Sequence, residues 1–218
     1  MSRSIRTSAV IVALIGISTL LYSAFVPLSE KYLMRQLQQN PISLHVVHVQ
    51  QKKVTSCGEA VITVAYNYVY PQNPIQELDV IAYATPLGYY TDSHIPFTSP
   101  ADMVKIARHY AKDVSGGRVI TQEQGLILLI QKLQNNEPII IDVLTQLNDP
   151  SSGAHFILVT GMSLDSDHEN AILIYYNNPL TARNESAPWV GADGIWNSWQ
   201  TNGDPGGSGW WMVIHAQE

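Results

Sequence analysis

The only cysteine of this 218-residue chain, Cys57, sits where a loop turns into an apolar helix. Behind it, in QKKVTSCGEAVITVAYNY (Gln51 to Tyr68) and the residue that follows, Ala60, Val61, Val64, Ala65 and Val69 recur at helical spacing. The pattern predicts a buried helix with the thiol in its first turn and Gln51 on the loop leading in. A free thiol titrates at pH ~8.5, so only a few per cent is thiolate at neutral pH. The positive end of a helix dipole and a neighbouring imidazolium both favour the thiolate. A carbonyl under attack also needs donors for its developing charge, and an upstream side-chain amide with the Cys57 N–H can supply them. Alone, a cysteine on an apolar helix is more often a small buried hydrophobe. The thiol needs partners before it counts as chemistry.

Those partners come later in the chain. SSGAHFILVTGM places His155 at the start of an apolar run, and AILIYYNNPL ends a second run in Asn177, Asn178 and Pro179. Two adjacent strands would carry His155 and Asn178 at their ends. A histidine takes the thiol proton and an Asn or Asp side chain orients the imidazole. The order Gln, Cys, His, Asn is that of papain-like peptidases.

Gln51-x5-Cys57-Gly58, Gly153-Ala154-His155-Phe156 with Val159-Thr160-Gly161, and Asn178-Pro179 resemble the bacteriocin-processing (double-glycine leader) peptidase domains and their stand-alone relatives. The resemblance runs from about Val47 to Val213. It implies an α+β papain-like fold, with an N-terminal helical part carrying the cysteine helix and a C-terminal antiparallel sheet carrying His155 and Asn178. Carried over by position, Cys57 is the nucleophile, His155 the general base, Gln51 the oxyanion donor and Asn178 the third member. That third position is usually Asp in the family. An Asn holds the imidazole by hydrogen bonding but cannot stabilise the imidazolium by charge. Glu59 also departs from the pattern, where a small residue or Pro commonly follows Cys-Gly. Thiol hydrolysis needs no cofactor, and no metal site is expected. The family's double-glycine specificity is not carried over.

The rest of the chain frames this site. Arg3 and Arg6 precede an uncharged run from Thr7 to Pro27, long enough in its Ala9–Val26 core to cross a bilayer. Residues 1–27 are therefore expected as an anchor that meets the membrane through residues 8–26, its basic flank cytoplasmic and the remainder extracytoplasmic. A cleaved signal peptide, giving a secreted protein, is the alternative. Residues 28–44 are expected as a helical stalk and 45–218 as one monomeric peptidase domain, with Leu44–Val49 a short strand. Charged residues are 14% and hydrophobic ones 45%, a globular composition. With a net charge of −6 and scattered Lys and Arg, no basic patch for nucleic acid is present.

Ser99-Pro100 and Thr121 with Gln124 read as helix starts. Ser115-Gly116-Gly117 reads as a turn before a strand at Arg118–Ile120. Pro138–Leu144 is expected as a central strand, with Asp142 a paired strand residue remote from the site. Tyr89, Tyr90, His94 and Phe97 either line a peptide groove or fold their loop over the core. His45 and His48 read as surface. The polar stretch 162–170 has the wrong spacing for a calcium loop and reads as a solvated hairpin. Asn184-Glu185-Ser186 matches a glycosylation sequon. The five tryptophans from Trp189 to Trp211 read as core anchors rather than a carbohydrate platform.

Three functions fit: a cysteine peptidase acting on a peptide or protein substrate through Cys57, His155, Asn178 and Gln51; a Cys-His-Asn acyltransferase or transglutaminase-like enzyme; and a non-catalytic peptide-binding module of the cell envelope. The spacing of Gln51 and Cys57 favours the first.

Overall fold

The computed structural model describes residues 37–38, 40–165 and 171–216. The chain divides into Met1–Pro41 and Ile42–Glu218, and the second unit carries the site. The expected N-terminal span, residues 1–27, lies outside the described residues, as does most of the expected stalk. No helix among the described residues is long and apolar enough to cross a membrane.

The fold is α+β. Helices α1 (Cys57–Val69), α2 (Glu77–Ala84) and α3 (Pro100–Tyr110) come first. Strands β1 (Ile42–Ser43), β2 (Val114–Arg118), β3 (Ile139–Leu144), β4 (Ala154–Asp165), β5 (Ala171–Asn178), β6 (Arg183–Pro188) and β7 (Trp210–Ile214) form one antiparallel sheet. Its order is β2-β7-β3-β4-β5-β6, with β1 on β4. Helices α4 (Gln122–Gln134) and α5 (Ile195–Thr201) complete the chain. All six residues of β3 are buried, as the continuous apolar run requires of a central strand covered on both faces. Val61, Val64 and Ala65 of α1 pack with Met103 and Ile106 of α3 and with Ile140, Phe156 and Met212 of the sheet.

The helix starts behave as their sequences dictate. The Ser99 hydroxyl accepts from the Asp102 N–H, with Pro100 at the first helical position. Thr121 and Gln124 form a reciprocal capping box. Trp189, Trp199 and Trp210 are buried anchors, and Trp199 Nε1 donates to Trp210 O at 2.6 Å.

Two expectations are corrected. Ser115, Gly116 and Gly117 lie inside β2, opposite Val213, Met212 and Trp211. The glycines serve close approach: a Cβ on Gly117 would sit 3.3 Å from the Trp211 ring. The strand before the Gln51 loop is Ile42–Ser43 rather than Leu44–Val49. It pairs with Gly161 and Met162, just beyond Val159 where the β3 partnership of β4 ends. Gly161 permits this, since a Cβ there would collide with the Ile42 carbonyl.

Trp199→Ala should lower the unfolding free energy by about 3–5 kcal/mol, the cost of emptying a large buried site. Val190→Ala, at an exposed position, should cost less than about 0.5 kcal/mol. Urea denaturation of the two variants checks both.

Candidate active site

Cys57 is the first residue of α1, so its N–H is one of the four that lack an acceptor inside the helix. Gly58 lets the helix start seat closely: a Cβ there would meet Met103 Sδ at 2.6 Å and Phe156 at 3.4 Å. The loop before the thiol is held by side chains. Glu77 at the start of α2 accepts from the Lys52 N–H at 2.8 Å and from Ser56 Oγ at 2.6 Å. Gln51 Nε2 donates to Lys53 O and Val54 O, each at 2.8 Å, and the Gln51 N–H donates to Pro179 O at 2.9 Å. The Gln51 amide is thus engaged in shaping the loop, and its Oε1 is buried without a partner among the described residues.

His155 and Asn178 meet across the sheet. His155 Nε2 lies 3.0 Å from Asn178 Oδ1. Asn178 Oδ1 also accepts from the Leu180 N–H at 3.0 Å, and Asn178 Nδ2 donates to Glu185 Oε2 at 3.0 Å. A carboxylate accepts only and a backbone N–H donates only, so together they fix which end of the Asn178 amide faces the imidazole. The imidazole must then carry its proton on Nε2, leaving Nδ1 free to accept. Glu185 Oε1 accepts in turn from Thr181 Oγ1 at 2.6 Å.

Cys57 and His155 open into one cleft of about 470 Å³. Its walls come from Ile95–Thr98, the Pro150–Gly153 loop and Asn202–Pro205. Phe97 lines it. Tyr90 instead packs in the core with its hydroxyl 2.7 Å from Thr55 Oγ1, and Tyr89 and His94 lie outside the lining. His45 and His48 are exposed. Among the described residues no group of three or more His, Cys, Asp or Glu is arranged to hold a metal ion.

Burial disfavours the charged form of both Cys57 and His155. Burial pushes the Cys57 thiol up to about 12, against hydrogen bonds from the Phe156 and Gly58 N–H groups and with the Glu59 and Asp142 charges adding to the rise. Burial pushes His155 down to about 4, opposed by the Asn178 hydrogen bond and the Glu185 charge. Burial also raises the Glu185 carboxyl, but hydrogen bonds from Asn178, Thr181 and Tyr176 outweigh it and leave its pKa lowered.

Three acids around the site escaped the sequence reading. Glu185 stood inside a sequon; its place in β6 opposite Tyr176 brings it beside Asn178. Asp142 is not remote: it pairs with Phe156, next to the Val143–His155 pair, and lies close enough to raise the thiol. Glu59 was seen only as a departure from the family pattern. It is 0% exposed, and its Oε1 accepts from Thr98 Oγ1 at 2.7 Å, tying the cysteine helix to the cleft wall.

A thiol at a helix start, with a histidine and an amide meeting on an antiparallel sheet, defines the α+β fold of a papain-like cysteine peptidase. A model of the Peptidase_C39 like family matches residues 43–205, and the chain belongs to that family. No curated protein matches it.

Burial raises the Glu59 carboxyl from 4.5 to about 7. The folded state therefore holds this proton more tightly than the unfolded one. The associated stability is complete at low pH and is lost as pH rises through about 7. Glu59→Gln keeps the Thr98 acceptor and removes the titration. Relative to wild type, its unfolding free energy should gain about 2–3 kcal/mol between pH 5 and pH 8. Urea denaturation at the two pH values reads the difference, and a constant gap would show that Glu59 stays charged in the fold.

Proposed function

We propose that the chain hydrolyses a peptide bond through Cys57, with His155 as general base and Asn178 as the group that orients it. The observation that carries this reading is the 3.0 Å contact of His155 Nε2 with Asn178 Oδ1, at the cleft into which Cys57 also opens. With the charged forms of thiol and imidazole both disfavoured by burial, the proton moves as attack occurs. His155 Nδ1 takes the thiol proton while sulfur bonds to the substrate carbonyl carbon. The C–N bond then breaks, the amine leaves with that proton, and a thioester remains on Cys57. Water, deprotonated by His155, attacks the thioester and releases the carboxylic acid, and the proton on His155 restores the thiol.

The Cys57 N–H at the helix start is one donor to the oxyanion. Gln51 supplies the second when an incoming substrate carbonyl replaces one of its two loop carbonyls. Asn178 lacks the charge an Asp would give to the imidazolium, and Glu185 supplies it from one hydrogen bond further back. The reading also places the domain outside the cytoplasm, on the strength of Arg3, Arg6 and the uncharged run that follows.

Cleavage of a mixed peptide library, read by mass spectrometry, tests the reaction. Products should be hydrolytic, with no transfer to an added amine. Cys57→Ala and His155→Ala should abolish cleavage, and Gln51→Ala should lower kcat by roughly 10²-fold. Glu185→Gln preserves the hydrogen-bond geometry without the charge. It should cost roughly 10–100-fold, as the loss of a partner supporting a functional histidine does. The acid limb of the pH–rate profile should move to lower pH, because the Glu185 charge that raises His155 is gone. Cleavage that survives Cys57→Ala would overturn the reading.

A further inference from the structure

We infer that Asp204, backed by Asp142, forms a subsite in the cleft for a positively charged group of the substrate: a lysine or arginine side chain, or a free amino group, beside the scissile bond. The inference rests on the reading of the cleft as a peptidase site and adds the class of substrate.

Asp204 is the only carboxylate in the cleft lining among the described residues, and no Lys or Arg lines it. Behind it, Asp142 is 0% exposed, and its carboxyl adjoins the Asp204 carboxyl and the His155 N–H. Asp204 Oδ1 is likewise buried.

The local fold aims them at one point. Asp142 shares its face of the sheet with Ile140, which packs in the α1 core, because side chains alternate along a strand. Asn202 Nδ2 donates to Asp142 O at 2.8 Å, and Asn202 Oδ1 accepts from the Asp204 N–H at 3.0 Å, so the 202–204 turn is clamped onto β3. Gly207 closes the cluster from the other side, where a Cβ would collide with Asp142 Oδ2 and Asn202 Oδ1.

Two adjoining carboxyls in this setting share a proton. Burial raises Asp142 well above the ordinary carboxylate range, with the Asp204 charge adding to it, and burial raises Asp204 as well. Of the two, Asp142 is raised the more, so ionisation falls first on Asp204, the member that lines the cleft. Arg118 lies against Gly206 on the same turn yet makes no ion pair with Asp204 among the described residues. A uniformly apolar wall would serve a neutral peptide. This wall offers a carboxylate with no Lys or Arg beside it in the lining of the cleft that Cys57 also lines.

The test uses Cys57 as its own reporter, since it is the chain's only cysteine. The protein is treated with three methanethiosulfonates of similar size: 2-aminoethyl (cationic), methyl (neutral) and 2-sulfonatoethyl (anionic). Each forms a mixed disulfide with the thiol and expels methanesulfinate, and intact mass reads the rate. The cation-to-anion rate ratio should exceed that of a free cysteine roughly tenfold at low salt. It should fall several-fold in Asp204→Asn and shrink towards the free-cysteine value as salt is raised in wild type.

A ratio equal to that of free cysteine, a ratio unchanged in Asp204→Asn, or no labelling by any reagent would overturn the subsite. The salt series needs no variant, so a misfolded Asp204→Asn does not decide the matter. Hydrolysis of the mixed peptide library, basic and neutral members alike, is followed in parallel. Its absence with the charge ratio intact would overturn the peptidase reading alone.

Discussion

The pairing of β4 with β5 sets Leu158 opposite Asn177, and the site follows from that register. Extended by one residue, it places Asn178 opposite Ile157 and so puts His155 and Asn178 on one face as diagonal neighbours. Glu185 repeats the relation on the next strand, opposite Tyr176 and diagonal to Asn178. Such neighbours are within reach of long side chains. A slip of one residue would turn His155 away from both, because side chains alternate across a strand. The bulge between Val159 and Gly161, with Ile42–Ser43 laid against it, is therefore more than an irregularity: it lies where β4 exchanges one partner for another.

Electrostatically the site is unusual for thiol chemistry. Glu59, Asp142 and Glu185 surround a cysteine and a histidine whose charged forms burial disfavours. Burial acts first against the thiolate and against the imidazolium, and the Asn178 hydrogen bond and the Glu185 charge offset it in part on the histidine. A resting ion pair is thus disfavoured on both sides. In the proposed reaction the proton therefore moves as sulfur attacks, and the negative charge passes to the substrate oxygen before amine departure leaves the thioester. The Cys57 N–H, at the helix start and without an intrahelical acceptor, is the donor proposed for that oxygen.

Much of this was legible in the sequence, for reasons that differ by element. The cysteine helix, the central strand and the capped starts of α3 and α4 declare themselves through local periodicity and capping chemistry. His155 and Asn178 were legible because each ends an apolar run. The acids around the site were not, because their surroundings depend on contacts between elements far apart in the chain. Glu185 is ordinary until β6 is laid beside β5, and Asp204 is a loop residue until Asn202 clamps its turn to β3. Glycines misled for the same reason: Gly116-Gly117 suggests a turn locally, whereas the Trp211 ring opposite requires their bareness within a strand. The engagement of Gln51 with Lys53 and Val54 depends on a loop shape that spacing does not encode.

The most direct test of the central claim is whether an acyl group passes through Cys57 under the control of His155. Wild-type protein is mixed with a peptide p-nitrophenyl ester, quenched in acid during turnover and weighed intact. The account predicts an acyl adduct on Cys57, absent in Cys57→Ala and formed roughly 10²-fold more slowly in His155→Ala. An adduct that forms equally fast without His155, or ester turnover with Cys57 never acylated, would contradict it.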